Sequence, residues 1–190
     1  MALSVVILAA GQGTRMKSDT PKVLHKISGK PMLFHAIDAA KELSDDITVV
    51  LYHQAERIQE EVEAAYSNIH FHLQDAVRFP GTGGAMKGVT PRHSRTLLLN
   101  GDMPLITKAS LEALTLGDAP IHMSVIEMDD PTGYGRVIIN QGSVQEIVEQ
   151  KDCTASQLET KTVNAGIYAV DTSLLEQYIP RLNNNNAQAE

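Results

Sequence analysis

Short apolar runs alternate with amphipathic segments along most of the chain. The uninterrupted apolar stretch at residues 4–10 predicts a strand covered on both faces, because a strand with one wet face would alternate apolar and polar positions. The same reasoning predicts further strands at residues 47–52, 69–73, 96–100 and 121–128.

Helical spacing of apolar residues separates these strands. Residues 31–43 predict a helix with Pro31 in its first turn and Leu33, Ile37, Ala40 and Leu43 on one face. Residues 55–66 predict a second helix, with Ile58, Val62 and Ala65 turned inward. Thr107 is placed to cap a further helix that carries Leu111 and Leu114.

Alternation of strands and helices at this spacing predicts parallel strands joined by right-handed crossovers. We therefore expect an open, mostly parallel α/β sheet with helices on both faces. The second half of the chain differs: residues 134–152 predict a β-hairpin turning at Gln141 and Gly142, and residues 162–170 predict a strand that returns to the sheet.

Composition narrows the possible partners. The chain has 190 residues, 43% of them hydrophobic, as expected of one globular domain. A net charge of −7 disfavours general nucleic-acid binding, although a local basic loop can still bind a small anion. Cys153 is the only cysteine, and no apolar run approaches the roughly 20 residues of a membrane span. These features predict a cytoplasmic protein that does not bind a membrane.

The loop that follows the first strand, "LAAGQGTRMKSDTPK" at residues 8–22, is rich in glycine and basic residues. It is not a Walker A loop, and Met16 stands where a dinucleotide fingerprint has its third glycine. Glycine lets backbone N–H groups approach an anion, and the basic side chains of Arg15 and Lys22 can neutralise it, so the loop could bind a phosphate group. A purely structural turn is the alternative, and the loop alone leaves both open.

A second loop, "NGDMP" at residues 100–104, follows the fourth strand and so lies at the same edge of the sheet, where ligands of open α/β sheets bind. Asp102 in this loop is placed to hold Mg²⁺, which accepts one or two carboxylates with phosphate oxygens; a turn aspartate is the alternative. A glycine-rich loop at residues 79–86 could let backbone groups meet a nucleobase, or could be only a flexible connection.

These segments together resemble the sugar-nucleotide pyrophosphorylases. "LAAGQGTRM", "PKVLH", "GKPML", "GTGGAM", "NGDMPLI", "GYGRVI", "IVEQKD" and "VNAGIY" follow in the order of the uridyltransferase domain of the bacterial bifunctional N-acetylglucosamine-1-phosphate uridyltransferase/glucosamine-1-phosphate acetyltransferases. The resemblance covers essentially the whole chain. It implies a Rossmann-like nucleotide-diphospho-sugar transferase fold. It also implies transfer of UMP from UTP to N-acetylglucosamine 1-phosphate, with release of pyrophosphate, for cell-wall and lipopolysaccharide precursors.

The resemblance also implies site residues. Arg15, Lys22 and Asp102 match the catalytic positions, with Asp102 a ligand of Mg²⁺. The UTP contacts implied are Leu8, Ala9, Ala10, Gly11, Lys22, Gln74, Gly81, Thr82, Asn100 and Gly101. The sugar-phosphate contacts implied are Gly135, Glu149 and Asn164.

Three departures from the family pattern stand out: Gly84 replaces a common histidine, the stretch at residues 75–80 looks longer than usual and so puts the Gln74 match in question, and Ala165 makes "NAG" of the commoner "NTG". A pyrophosphorylase of another nucleotide and sugar, or an inactive regulatory subunit of the same fold, stays an alternative.

Proteins of this family continue beyond residue 190. They carry an asparagine that is a second Mg²⁺ ligand and a trimer-forming left-handed β-helix that acetylates glucosamine 1-phosphate. We therefore expect residues 1–190 to be a truncated uridyltransferase domain of a homotrimeric enzyme.

Overall fold

The computed structural model of the protein describes residues 2–182. Within this range the strands are β1 (Leu3–Leu8), β2 (Lys26–Ile27), β3 (Lys30–Pro31), β4 (Asp46–Leu51), β5 (Ile69–Leu73), β6 (Arg95–Asn100), β7 (Ile121–Glu127), β8 (Arg136–Asn140), β9 (Ser143–Val148) and β10 (Thr162–Asp171). The α-helices are α1 (Met32–Lys41), α2 (Ala55–Ala65), α3 (Gly81–Ala85), α4 (Lys108–Leu114), α5 (Ala155–Leu158) and α6 (Thr172–Tyr178).

The main sheet has the strand order β5-β4-β1-β6-β10-β8-β9, with β7 paired to β10. Strands β5, β4, β1 and β6 are parallel, as the alternating pattern predicts. Strand β10 then enters antiparallel beside β6 and also pairs with β7 and β8. The predicted open α/β sheet is confirmed, and the strand predicted at residues 162–170 does return to it.

Helices cover both faces of this sheet, as predicted. On one face, α1, α2 and α4 bury Leu33, Ile58 and Leu111 against alternate residues of β1. On the other face, α3 and α6 pack near Val6 and Leu98. The change of face follows from topology: the chain reverses its direction across the sheet between β5 and β6, so a right-handed crossover must pass over the opposite side.

Local sequence signals explain several boundaries. Thr107 caps α4 through a reciprocal capping box with Ser110. The hairpin of β8 and β9 turns at Gln141 and Gly142, both at positive φ (48° and 76°), as a two-residue primed turn requires.

Four expectations need correction. Helix α1 is shorter than predicted, because Pro31 is its N-cap and Leu43 lies beyond its last residue, Lys41. Ala65, predicted to turn inward, is exposed at the end of α2. The first strand ends at Leu8, so residues 9 and 10 belong to the loop that follows. Residues 79–86 do not form an open loop, because Gly81–Ala85 make the short helix α3, which Ala85 and Met86 anchor in the core of the second face.

Candidate active site

A cavity of about 520 Å³ opens at the carboxyl ends of β1, β4, β5 and β6. Its walls bring together loops that are far apart in the sequence. The residues that line it are Leu8, Ala9, Ala10, Gly11, Gln12, Lys22, Val23, Tyr52, Gln74, Ala76, Pro80, Gly81, Thr82, Ala85, Asn100 and Asp102. It therefore lies where ligands of open α/β sheets bind.

The glycine-rich loop after β1 is shaped by Gly13. This residue has a φ of 61°, and a Cβ atom placed on it would lie 2.7 Å from the Cβ of Lys22. Any larger residue would be both strained and in collision with the segment that carries Lys22. Gly11, in contrast, has no neighbour within 4 Å of such a Cβ, so its backbone is open to a ligand.

Asp102 is brought to the same place by a close fit between two loops. The N–H group of Gly101 donates to the Leu8 carbonyl at 2.8 Å. A Cβ on Gly101 would lie 3.0 Å from Leu33 and 3.3 Å from the Leu8 oxygen, so the backbone approach depends on glycine. Asp102 forms an ion pair with Lys22, and both side chains remain about one-third exposed. The two charged residues at the cavity thus neutralise each other while staying accessible.

Gln74 lies directly after β5 and is buried in the cavity wall. Its Nε2 atom donates to the carbonyls of Phe79 (2.9 Å) and Gly81 (3.3 Å). Because carbonyl oxygens only accept, these two bonds fix the orientation of the amide. Gln74 therefore ties the segment at residues 75–80 to the start of α3, and its Oε1 atom is left to accept a further hydrogen bond.

The predicted sugar-phosphate residues form a second group beside this cavity. The backbone N–H of Asn164 donates to the Gly135 carbonyl at 3.0 Å, and a Cβ on Gly135 would lie 3.0 Å from Glu149 Oε1. Gly166, two residues beyond Asn164, connects this group to the cavity, since a Cβ on it would lie 2.8 Å from the Asn100 amide nitrogen.

Not every predicted residue lies in the cavity wall. Arg15 is exposed on a single 3₁₀ turn, Thr14–Met16, and within residues 2–182 it forms no ion pair. Gly101 is buried behind the wall, where it positions Asp102. The wall also contains residues that sequence reasoning missed: Gln12, Val23, Tyr52, Ala76, Pro80 and Ala85. Tyr52 could have been found, because it directly follows the parallel strand β4.

The residues that line the cavity offer a magnesium ion one carboxylate ligand. In the part of the chain that the structure describes, no group of three or more His, Cys, Asp or Glu side chains is arranged to hold a metal ion. Among the described residues that line the cavity, Asp102 is the single carboxylate. Mg²⁺ is commonly held by one or two carboxylates together with substrate phosphates and water, so the site suits a metal that arrives with a phosphate ligand.

Fold and cavity together define an α/β domain whose glycine-rich loop, basic residue and acidic residue meet at the carboxyl edge of its sheet, as expected of a nucleotide-binding domain. The chain belongs to the family of MobA-like NTP transferase domains, whose family model matches residues 5–117.

In the described residues, no helix has the length and apolar character needed to cross a membrane.

Relatives confirm the resemblance to the bifunctional uridyltransferases. The protein named bifunctional protein GlmU of Sulfurovum sp. is 76% identical over 190 residues, which is 100% of this chain and 44% of that protein. GlmU of Aliarcobacter butzleri is 58% identical over 187 residues, covering 98% of this chain and 43% of its own. The chain thus spans less than half the length of these relatives.

Solved structures confirm the fold. HddC from Yersinia pseudotuberculosis superposes with a TM-score of 0.70 at 29% identity, covering 94% of this chain and 80% of its own. A putative glucose-1-phosphate thymidylyltransferase from Bacillus anthracis superposes with a TM-score of 0.74 at 21% identity, covering 99% and 78%.

Proposed function

We propose that this chain transfers UMP from UTP to N-acetylglucosamine 1-phosphate, giving UDP-N-acetylglucosamine and pyrophosphate. The observation that carries the proposal is the single cavity that gathers Lys22, Asp102 and the backbone of Gly11 at the carboxyl edge of the sheet. Identity of 76% to a GlmU protein over the whole chain supports the choice of substrates.

In the proposed reaction, a phosphate oxygen of the sugar phosphate attacks the α-phosphorus of UTP, and the bond to pyrophosphate breaks. The attacking group is already an anion, so no nucleophilic side chain is needed, and catalysis consists of alignment and charge neutralisation. Lys22, which contacts Asp102 in the structure, can turn to a triphosphate of higher charge and so stabilise the departing pyrophosphate. Arg15, exposed on the same loop, is proposed to approach the triphosphate from solvent.

Asp102 is the residue proposed to hold Mg²⁺. A metal bound there would offset negative charge on the phosphates during the transfer. The open backbone at Gly11 and its neighbours Leu8, Ala9 and Ala10 would contact the nucleoside.

Base recognition is assigned to the wall formed by Gln74, Gly81 and Thr82. Since Gln74 Nε2 is committed to two carbonyls, its Oε1 can accept from a base that presents a ring N–H, as uracil does. Gly135, Glu149 and Asn164 are assigned to the sugar phosphate, and their contact with the cavity through Gly166 and Asn100 supports this.

A pyrophosphorylase with another nucleotide is the second candidate, because HddC, which is 29% identical, has been solved as a complex with GMP-PN, and guanine also presents a ring N–H. Pyrophosphate release measured with N-acetylglucosamine 1-phosphate and each of UTP, dTTP, GTP, CTP and ATP separates the two. We expect UTP to be preferred. Preference for another nucleotide, or no release with any, would overturn the proposal.

The proposal has a second part, which concerns an enzyme of the relatives' length. Acetylation of glucosamine 1-phosphate is proposed as its second activity, and it is supported by the name bifunctional protein GlmU of relatives that are more than twice as long as this chain. A trimeric state and a place in the cytoplasm are proposed with it, from the resemblance alone.

A further inference from the structure

Strand β10 is irregular at the point where it passes the candidate site. It pairs with β7 from Thr162 to Asn164 and again from Tyr168 onward, and the register shifts between these two stretches. Such bulges often occur next to active sites, where they redirect a side chain. Here the irregular stretch is residues 165–167, and Asn164, which the resemblance assigns to the sugar phosphate, is the last paired residue before it.

The side chain of Asn164 is held at both ends. Its Oδ1 atom accepts from the backbone N–H of Gly166 at 2.9 Å, which orients the amide, and its Nδ2 atom donates to the hydroxyl of Tyr168 at 2.5 Å. The second bond spans the irregular part of the strand. One N–H of the amide is left for a ligand, because the group has two.

Tyr168 provides a fixed point for this contact. Its ring packs against the core of the second sheet face, which contains Val6 and Leu98. Burial raises the pKa of the Tyr168 phenol above its usual value near 10, and the nearby charge of Glu149 raises it further, although the bond from Asn164 opposes both. The hydroxyl therefore keeps its proton at neutral pH and can donate it while accepting from Asn164.

We propose that Tyr168 is a positioning residue for the sugar phosphate: its hydroxyl holds the Asn164 amide across the bulge of β10, at the orientation in which Asn164 contacts that substrate. The inference rests on the proposed function, since it needs Asn164 to be a sugar-phosphate contact. It adds a residue that the sequence reasoning did not identify and that does not line the nucleotide cavity.

The test is the substitution Tyr168→Phe, which keeps the ring and removes only the hydroxyl. We expect the KM for N-acetylglucosamine 1-phosphate to rise about 3- to 10-fold, as typical of one lost hydrogen bond, while the KM for UTP and kcat change less than about two-fold. The matched control is Tyr66→Phe, which removes a hydroxyl bonded to Phe34 and Asp38, away from the site. It should change neither KM.

Two outcomes would overturn the inference. One is an unchanged KM for the sugar phosphate in Tyr168→Phe. The other is a similar rise in both KM values together with a fall in kcat, which would indicate general disruption. A wild-type protein that releases no pyrophosphate with UTP would instead refute the proposed function. In that case, titrating N-acetylglucosamine 1-phosphate into ¹⁵N-labelled wild type and Tyr168→Phe still decides the inference. Weaker binding by the variant, with a changed Asn164 side-chain amide signal, would support it, and equal binding or no binding would refute it.

Discussion

Replacing Gly84 by alanine should disrupt the wall of the candidate active-site cavity, where the segment at residues 75–80 packs against α3. A Cβ atom at this position would lie 2.1 Å from the carbonyl oxygen of Phe79 and 2.4 Å from its carbonyl carbon. Both are backbone atoms, so no rotation of a side chain can relieve the collision. The segment at residues 75–80 must move, or α3 must shift away from it.

The expected loss of stability follows from the hydrogen bond that this movement breaks. The Phe79 carbonyl accepts the 2.9 Å bond from Gln74, whose side chain is buried. Leaving a buried polar group without its partner costs about 1–3 kcal/mol, and forcing extra volume into a packed region costs a similar amount. We expect a loss of about 3 kcal/mol in the free energy of unfolding. For a chain of this size that corresponds to a fall of roughly 6–12 °C in Tm.

The matched control is Gly11→Ala, because a Cβ on Gly11 meets nothing within 4 Å. Its Tm should stay within a few degrees of the wild-type value, while UTP binding weakens, because the added methyl group projects where a ligand would approach the backbone. Thermal unfolding and calorimetric titration with UTP measure both quantities for each variant. A Gly84→Ala protein as stable as wild type would refute the placement of Phe79 against α3. A large loss of stability in Gly11→Ala would refute the claim that this backbone is open.

Three further substitutions test the site, and one pH measurement tests the burial of two tyrosines. Asp102→Ala should reduce turnover to less than about a tenth of wild type at saturating Mg²⁺ with little change in Tm, because its ion pair with Lys22 is partly exposed and worth at most about 1 kcal/mol; higher activity would exclude the metal role. Lys22→Ala should lower kcat by about 10²–10³, by analogy with other lost transition-state contacts, and leave the sugar-phosphate KM nearly unchanged in steady-state kinetics. Glu149→Ala should do the reverse, and an effect mainly on UTP would show that the two halves of the site are misassigned. Burial raises the pKa of Tyr66 and Tyr168, so the unfolded chain loses these protons at a lower pH than the folded chain. The stability that the two phenols contribute should therefore fall as the pH rises above about 10, and in urea unfolding this fall should be less steep in Tyr66→Phe.

The sequence could predict which loops meet, but not how closely. Lys22 and Asp102 are far apart in the chain, yet both follow strands that were identified from apolar runs, and the carboxyl ends of parallel strands share one edge. Their direct ion pair depends on Gly13 and Gly101, where only glycine allows the backbones to approach. Such contacts are made by atoms of distant segments, and no periodicity in the sequence records them.

The helix α3 shows a different limit. Its three glycines favour an irregular connection, because glycine lowers helix stability by about 1 kcal/mol at each position. Tertiary packing outweighs this preference: Ala85 and Met86 are buried on the second face of the sheet, and Phe79 occupies the space that a side chain at Gly84 would need. The unusual Gly84 and the unusual segment at residues 75–80 are thus one structural feature, since the second can pack only if the first has no side chain.

The cavity and the bulge of β10 meet where β10 runs antiparallel beside β6. Asn100 ends β6 in the nucleotide cavity, and Gly166 lies in the bulge of β10, with a φ of 74°. A side chain at Gly166 would be strained and would begin 2.8 Å from the Asn100 amide. Gly166 also donates its backbone N–H to the Asn164 side chain, so one glycine both orients Asn164 and leaves the space that Asn100 occupies.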